Sequence, residues 1–263
     1  MDSFSPDLAS PPVPEPPRDR EQALWKPADL VLFLAFIPIA YVLAGFVALA
    51  GYSAFQPLAG WRLTTRALGH NVFFMLASEL ILYAFVLVYL YVLIVVHYRA
   101  PFWAALRWRA LSGARTAQFL LGGILLAFAV AAAPTIFPER KTFPLEQMLS
   151  HPTSAYAVGI FGVVVAPFME ELVFRGVLFA FFERLAGLVF ATMGTALLFG
   201  ALHLQEYWGA WNHAFLIFMV GFVLSFTRAK TGSLVPSVLL HIAYNATLVT
   251  ALFFSMQHLH AVR

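Results

Sequence analysis

Long apolar runs, separated by short polar stretches, fill the chain from Leu30 to Phe254. Each run approaches the roughly 20 residues that a helix needs to cross a hydrocarbon core of about 30 Å. Lipid offers no hydrogen-bond partners, so a segment within the bilayer must pair its own backbone groups as a helix. The sequence therefore predicts an all-α, polytopic bundle of transmembrane helices, with apolar runs at 30–50, 72–96, 117–133, 156–182, 188–204, 211–226 and 234–254.

The composition excludes a water-soluble domain. Apolar residues make up 61% of the chain and charged residues only 11%, whereas soluble domains carry about 25% charged residues. The chain contains no cysteine, which excludes disulfides, thiolate metal ligands and a cysteine nucleophile. The formal net charge of +3 is spread along the sequence, so no basic patch indicates binding of nucleic acid.

The fourth apolar run is interrupted by Pro167, so it can form one kinked helix or two shorter ones, which gives seven or eight crossings. With seven crossings, ten Lys and Arg residues, including Arg228 and Lys230, fall on the side of the N-terminus and five on the other side. Positive residues concentrate in cytoplasmic loops. We therefore expect an integral membrane protein of a bacterial inner membrane, with a cytoplasmic N-terminus. The side of the C-terminus depends on the fourth run.

The N-terminal part of the chain divides into two regions. Residues 1–27 hold six prolines and mixed charges, a composition typical of a disordered tail. Residues 28–153 contain the first three transmembrane helices. They include the basic segment 101–115, in which aromatic and basic residues alternate, and this segment suits either an interfacial helix or an ordinary basic loop.

Few ionisable residues lie at membrane depth. A charge there costs about 3 kcal/mol or more, so each such residue is a functional candidate. All four aspartates lie at or before the first helix, which excludes two intramembrane aspartates that share a proton. No HExxH motif of a zinc protease occurs. The candidates are Glu79, Glu170, Glu171, Arg175, His203, His213 and His241.

The spacing of these residues suggests a division of roles. Glu171 and Arg175 stand four residues apart on one helix face, where they can form an ion pair. Glu170 is turned about 100° away, which leaves it facing a cavity as a candidate general base. His241 and Asn245 also share a face, so both can donate to an oxyanion or approach a metal-bound or free water. Each pattern alone also suits a structural role. For Glu79, structural pairing with another helix is favoured over catalysis.

These residues resemble the motifs of the CPBP family of intramembrane proteases, which includes the type II CAAX prenyl endopeptidases and bacteriocin-processing, Abi-like relatives. The family motifs EExxxR, FxxxH and HxxxN correspond to residues 170–175, 199–203 and 241–245. The resemblance extends over about 154–254, so the region 154–263 is the expected catalytic core. It implies hydrolysis of a peptide bond in a membrane-anchored peptide or protein within the lipid bilayer. Prenylated CAAX peptides are one such kind of substrate.

The resemblance leaves open a metalloprotease and a glutamate-dependent hydrolase without metal. Zinc prefers His, Cys and carboxylate ligands with one open position. Its ligands here would be Glu170, His203 and His241, but Glu170 would then no longer be available as the base. We favour a scheme without metal or other cofactor, in which Glu170, helped by His203, deprotonates a water molecule.

The other motif residues have supporting roles in this scheme. His241 and Asn245 stabilise the oxyanion, and Arg175 orients Glu171. The alternative is a non-catalytic membrane protein, either a transporter or an assembly or immunity factor, that uses the buried Glu, His and Arg cluster structurally. A transporter predicts broken helices in two matching halves, whereas this chain has one interrupted run.

Overall fold

The computed structural model describes residues 26–60, 63–136, 152–204 and 208–261. Residues 1–25 lie outside these ranges, so the disorder of the tail 1–27 stays a prediction. The described residues form helices and no strand, which confirms the predicted all-α fold class.

The first half of the chain provides helices that pack beside the motif region. The third of these helices, α3, continues directly into a π-helical segment, Val92–His97. The elements are α1 (Pro27–Ala59), α2 (Thr65–Leu68), α3 (Val72–Tyr91), α4 (Phe102–Ala105) and α5 (Gly113–Ile136).

The second half begins with a long helix that carries the first motif, and we call residues 152–186 the motif helix. Pro167 lies in the first turn of one of its α-helical parts, directly after a π-helical segment, so the fourth run forms one helix rather than two. The motif helix consists of α6 (Pro152–Ile160), the π-helical segment πA (Phe161–Val165), α7 (Ala166–Glu171), the π-helical segment πB (Leu172–Leu178) and the start of α8 (Phe179–His203). Two further helices follow, α9 (Trp211–Thr231) and α10 (Val235–Ala261).

The chain reverses direction at Gly187, within α8. Gly187 has a φ of 84°, a backbone conformation that residues with a side chain rarely adopt. The ring centroids of Phe174 and Phe199 lie 5.2 Å apart, whereas a straight helix rising about 1.5 Å per residue would separate them by about 37 Å. The fourth and fifth predicted runs are therefore two antiparallel helices joined at one glycine.

Six helical stretches in the described residues are long and apolar enough to cross a membrane. One of them, Ser154–His203, contains the reversal and so accommodates two of the predicted runs. Large apolar side chains such as Leu58 and Val189 point outward, with 84% and 80% exposure, which suits a surface in contact with lipid. The chain is thus an integral membrane protein. The other stretches are Pro27–Leu58, Val72–His97, Gly113–Ala133, Trp211–Thr231 and Val235–Ser255.

Two sets of contacts hold the site-bearing helices together. Leu90 of α3 packs with Leu172 and Val177 of the motif helix in the largest buried apolar cluster. α5 approaches α10 so closely at Gly123 that an added Cβ would lie 2.2 Å from the carbonyl oxygen of Leu240. Such close approach between membrane helices is typical of small residues at the interface.

The basic segment 101–115 is helical only at α4 and from Gly113 onward, so it does not form a continuous interfacial helix. Leu106 is fully buried. Arg107 has a φ of 54°, and its carbonyl accepts a hydrogen bond from the amide of Leu234 at 3.0 Å. Of the two alternatives, the structure therefore shows a basic loop, folded against the start of α10.

Candidate active site

The ion pair expected between Glu171 and Arg175 forms in the protein interior. Arg175 Nη1 donates to Glu171 Oε1 at 2.9 Å, and both side chains are fully buried. Arg175 Nη2 donates to the carbonyl of Gly221 in α9 at 2.8 Å. Its guanidinium carbon lies 4.7 Å from the centroid of the Phe199 ring. Arg175 therefore fixes Glu171 relative to α9 as well as within its own helix.

His241, in α10, connects the two adjacent carboxylates. Its Nδ1 lies 2.9 Å from Glu171 Oε1, and its Nε2 lies 3.8 Å from Glu170 Oε2. Because the carboxylate that pairs with Arg175 is ionised and can only accept, Nδ1 carries the proton in this contact. The structure thus brings together residues of the first and third motifs.

The two carboxylates differ in their surroundings. Glu171 is fully buried between two donors, whereas 24% of the Glu170 side chain is exposed. Glu170 is therefore the more accessible of the two carboxylates. The difference lies in accessibility, and the separate roles of the two carboxylates stay predictions.

Phe199, the first residue of the second motif, packs against both histidines of the site. Its ring centroid is 4.6 Å from that of His203 and 5.9 Å from that of His241. His203 Nδ1 lies 2.8 Å from the carbonyl oxygen of Phe199. Since a carbonyl only accepts, Nδ1 is the donor, and Nε2 of the neutral ring is an acceptor. The sequence alone assigns no role to Phe199, although its place in the FxxxH motif marks it.

Asn245 contacts the motif helix at πA. Its Nδ2 donates to the carbonyl of Gly162 at 2.7 Å. A side-chain amide has two N–H groups, so one of them remains for another acceptor. The HxxxN spacing places Asn245 on the same face as His241, but it does not predict this contact with the backbone.

Two other polar residues at membrane depth are Glu79 and His213. The Tyr83 hydroxyl donates to Glu79 Oε1 at 3.0 Å within α3, so Glu79 pairs with a residue of its own helix. The Tyr83 ring stacks on Phe161 of πA, with ring centroids 5.8 Å apart. His213 lies in the first turn of α9.

The count of Lys and Arg on the two sides of the membrane places Arg228 in a loop on the side of the N-terminus. In the structure Arg228 is instead buried in α9, with 1% of its surface exposed. The reason is that α9 extends to Thr231, beyond the predicted end of the sixth run at 226. Arg228 Nε donates to the carbonyl of Arg175 at 3.2 Å, and its guanidinium carbon lies 5.2 Å from the centroid of the Phe179 ring. Arg228 is thus part of the surroundings of the site.

The three residues considered as zinc ligands do not form a ready ligand group. Among the described residues, no group of three His, Cys, Asp or Glu side chains is placed to hold a metal ion. Glu170 approaches His241, and the bond from His203 Nδ1 to a backbone carbonyl leaves the Nε2 of that ring available. Metal dependence therefore stays a prediction.

The fold and the site define a class of protein: a polytopic helical membrane protein in which paired carboxylates of one helix meet a histidine of another. Residues 152–247 match the protein family described as Type II CAAX prenyl endopeptidase Rce1-like. The match covers the region of the three motifs and supports the resemblance of this region to the CPBP/CAAX protease family. No curated protein and no solved structure matches the chain.

Proposed function

We propose that this protein hydrolyses a peptide bond of a membrane-associated protein with Glu170 as general base and without a metal. The position of His241 between the two carboxylates carries the proposal. Its Nδ1 contacts the fully buried Glu171, and its Nε2 faces the more exposed Glu170. This arrangement separates a fixed anion, which orients the imidazole, from a base that a water molecule can reach.

In the first step, Glu170 removes a proton from water, and the oxygen of the resulting hydroxide attacks the carbonyl carbon of the scissile bond. His203 helps by holding the water, because its Nδ1 donates to Phe199 and its Nε2 is therefore an acceptor. A water held by two acceptors directs a lone pair at the substrate, which lowers the entropic barrier to attack.

The attack converts the substrate carbonyl to an oxyanion, which needs hydrogen-bond donors. The second N–H of Asn245 and a protonated Nε2 of His241 supply them in this scheme. Glu171 accepts from Nδ1 and so orients the imidazole, and Arg175 holds that carboxylate in place. The C–N bond then breaks as Glu170 returns its proton to the leaving amine, which regenerates the base.

The substrate in this proposal is a peptide anchored in or at the bilayer, and prenylated CAAX peptides are included. Glu170 and His241 belong to the stretches Ser154–His203 and Val235–Ser255, both apolar enough to span a membrane, so the scissile bond has to reach membrane depth. A cytoplasmic N-terminus in a bacterial inner membrane completes the proposal, and the distribution of Lys and Arg supports it.

The proposal is tested with the full chain in liposomes and a panel of membrane-anchored peptides, prenylated CAAX peptides among them. Glu170→Gln keeps the shape of the side chain and removes the base, so we expect cleavage to fall by about 100-fold or more. Glu183→Gln is the matched control. Glu183 lies on the same helix but forms a 3.2 Å ion pair with Arg107, so we expect its substitution to preserve cleavage.

Equal cleavage by the wild-type protein and Glu170→Gln would refute the assignment of the base. Absence of cleavage by the wild-type protein across the whole panel would instead favour the non-catalytic alternative.

A further inference from the structure

Two π-helical segments flank Glu170 and Glu171, and the first of them ends with a side-chain hydrogen bond. At the end of πA, the amide of Ala166 donates to the carbonyl of Phe161, five residues back. The next carbonyl along the chain, that of Gly162, accepts from Asn245 Nδ2.

The second segment ends in the same way. At the end of πB, the amide of Phe179 donates to the carbonyl of Phe174, five residues back. The next carbonyl, that of Arg175, accepts from Arg228 Nε at 3.2 Å. Where a helix returns from the π to the α pattern, one carbonyl is passed over by the amides of the helix and needs another donor. Asn245 supplies that donor at πA, where Pro167 also lacks an amide, and Arg228 supplies it at πB.

We infer that Arg228 is a positioning residue for the proposed reaction. By bonding the carbonyl of Arg175 it fixes πB, and with it the ion pair between Arg175 and Glu171, just as Asn245 fixes πA. This inference rests on the proposed function, because the group it positions is the carboxylate that orients His241. Arg228 itself contacts the backbone of the site and does not touch the reacting atoms.

The surroundings of Arg228 favour this role over simple packing. Its side chain is 1% exposed, and its Nη2 has no hydrogen-bond partner among the described residues. A buried cation with an unpaired donor is costly to desolvate. An apolar side chain of similar length often stabilises such a position equally well. What an apolar side chain cannot supply is the hydrogen bond to the carbonyl of Arg175.

Two substitutions separate the hydrogen bond from the volume of the side chain. Arg228→Met keeps the length and removes the donor. Arg228→Lys keeps a donor that can reach the same carbonyl, but lacks the planar guanidinium that stacks on Phe179. Lys230→Met is the matched control, because Lys230 lies on the same helix, is exposed and stands over the Phe226 ring at 5.3 Å.

The experiment measures kcat and KM of these variants in liposomes, at a temperature where all are folded. For Arg228→Met we expect kcat to fall by about 10- to 100-fold, as for a small misplacement of catalytic groups, with KM unchanged. We expect Arg228→Lys to recover part of this loss and Lys230→Met to match the wild-type protein. Wild-type kcat in Arg228→Met would overturn the inference, even if the variant unfolded at a lower temperature.

Hydrogen exchange of the backbone amides in residues 172–180 provides a second measurement that needs no substrate. We expect faster exchange there in Arg228→Met than in the wild-type protein or Lys230→Met, and equal exchange would overturn the inference. The two proposals therefore fail differently. If Glu170→Gln cleaves normally, the proposed base is wrong, whereas if only Arg228→Met cleaves normally, the positioning role is wrong and the proposed function stands.

Discussion

His241 donates its Nδ1 proton to Glu171 Oε1 at 2.9 Å, although 70 positions of the sequence separate the two residues. The same oxygen accepts from Arg175 Nη1, and Arg175 in turn bonds the backbone of α9. One carboxylate oxygen thus links the motif helix, α10 and, through Arg175, α9. Stability and activity should therefore depend on the same ion pair.

The first prediction concerns the two members of that pair. Arg175→Met leaves the Glu171 carboxylate buried without its cation, so we expect the free energy of unfolding to fall by about 3–5 kcal/mol. The double variant Glu171→Met, Arg175→Met removes both charges and should regain most of that loss. The double variant should nevertheless be inactive, because His241 then lacks its acceptor. Unfolding in mixed detergent micelles measures stability, and additive losses in the double variant would contradict the coupling.

A second prediction uses two adjacent glycines of α5. In Gly123→Ala the new Cβ would lie 2.2 Å from the carbonyl oxygen of Leu240 and 2.9 Å from the amide nitrogen of Tyr244. Backbone atoms cannot yield as a side chain does, so α5 and α10 must separate. We expect a loss of about 1–3 kcal/mol in the free energy of unfolding and a lower kcat, because His241 follows Leu240 directly.

Gly122→Ala is the control for that substitution. Its Cβ would lie 3.8 Å from a methyl carbon of Leu240, an ordinary contact, and alanine favours the helix over glycine by about 0.5–1 kcal/mol. Gly122→Ala should therefore match or exceed the wild-type protein in thermal stability. Equal effects of the two substitutions would contradict the close approach of α5 and α10.

A third prediction concerns metal dependence. The described residues do not bring Glu170, His203 and His241 together as a ligand group, and the proposed base needs Glu170 free of a metal. We therefore expect cleavage to continue at the wild-type rate after treatment with a strong zinc chelator and removal of the chelate. Lost activity that one equivalent of zinc restores would show that the scheme is wrong.

The fourth prediction tests the orientation in the membrane. The natural chain contains no cysteine, so a single introduced cysteine reports its own side without background. We expect Ser10→Cys to be shielded from a membrane-impermeant maleimide in intact cells, because the N-terminal side carries the excess of Lys and Arg. His70→Cys, exposed between α2 and α3, should react. Labelling of Ser10→Cys alone would place the N-terminus outside.

The site contacts within one helix could be predicted from the sequence, whereas the contacts between helices could not. Glu171 and Arg175 meet because any helix brings residues four positions apart together. The contact of Asn245 with Gly162 spans 83 positions and depends on how α10 packs against the motif helix. In lipid both faces of a helix are apolar, so hydropathy does not specify which face meets its neighbour.

The end of α9 shows a second limit of prediction. Arg228 and Lys230 are two charges after a long apolar run, which is the usual mark of a loop at the membrane surface. The helix continues to Thr231, and Arg228 lies buried within it, with its Nε donating to the carbonyl of Arg175 in πB. πB contains Arg175 and Gly176, but nothing in its sequence marks the carbonyl of Arg175 as the acceptor for a side chain 53 positions away.

The reversal at Gly187 bears on how two charged residues enter a bilayer during synthesis. The motif helix and the remainder of α8 are joined without a loop, so they can insert as a hairpin while the ribosome is still translating α9 and α10. The nascent hairpin already contains Glu171 together with Arg175, its counterion four residues on. Glu171 and Arg175 can thus enter the bilayer as a neutral couple in place of two separate charges. Insertion of the carboxylates can precede the arrival of His241, whereas their proposed reactivity depends on it.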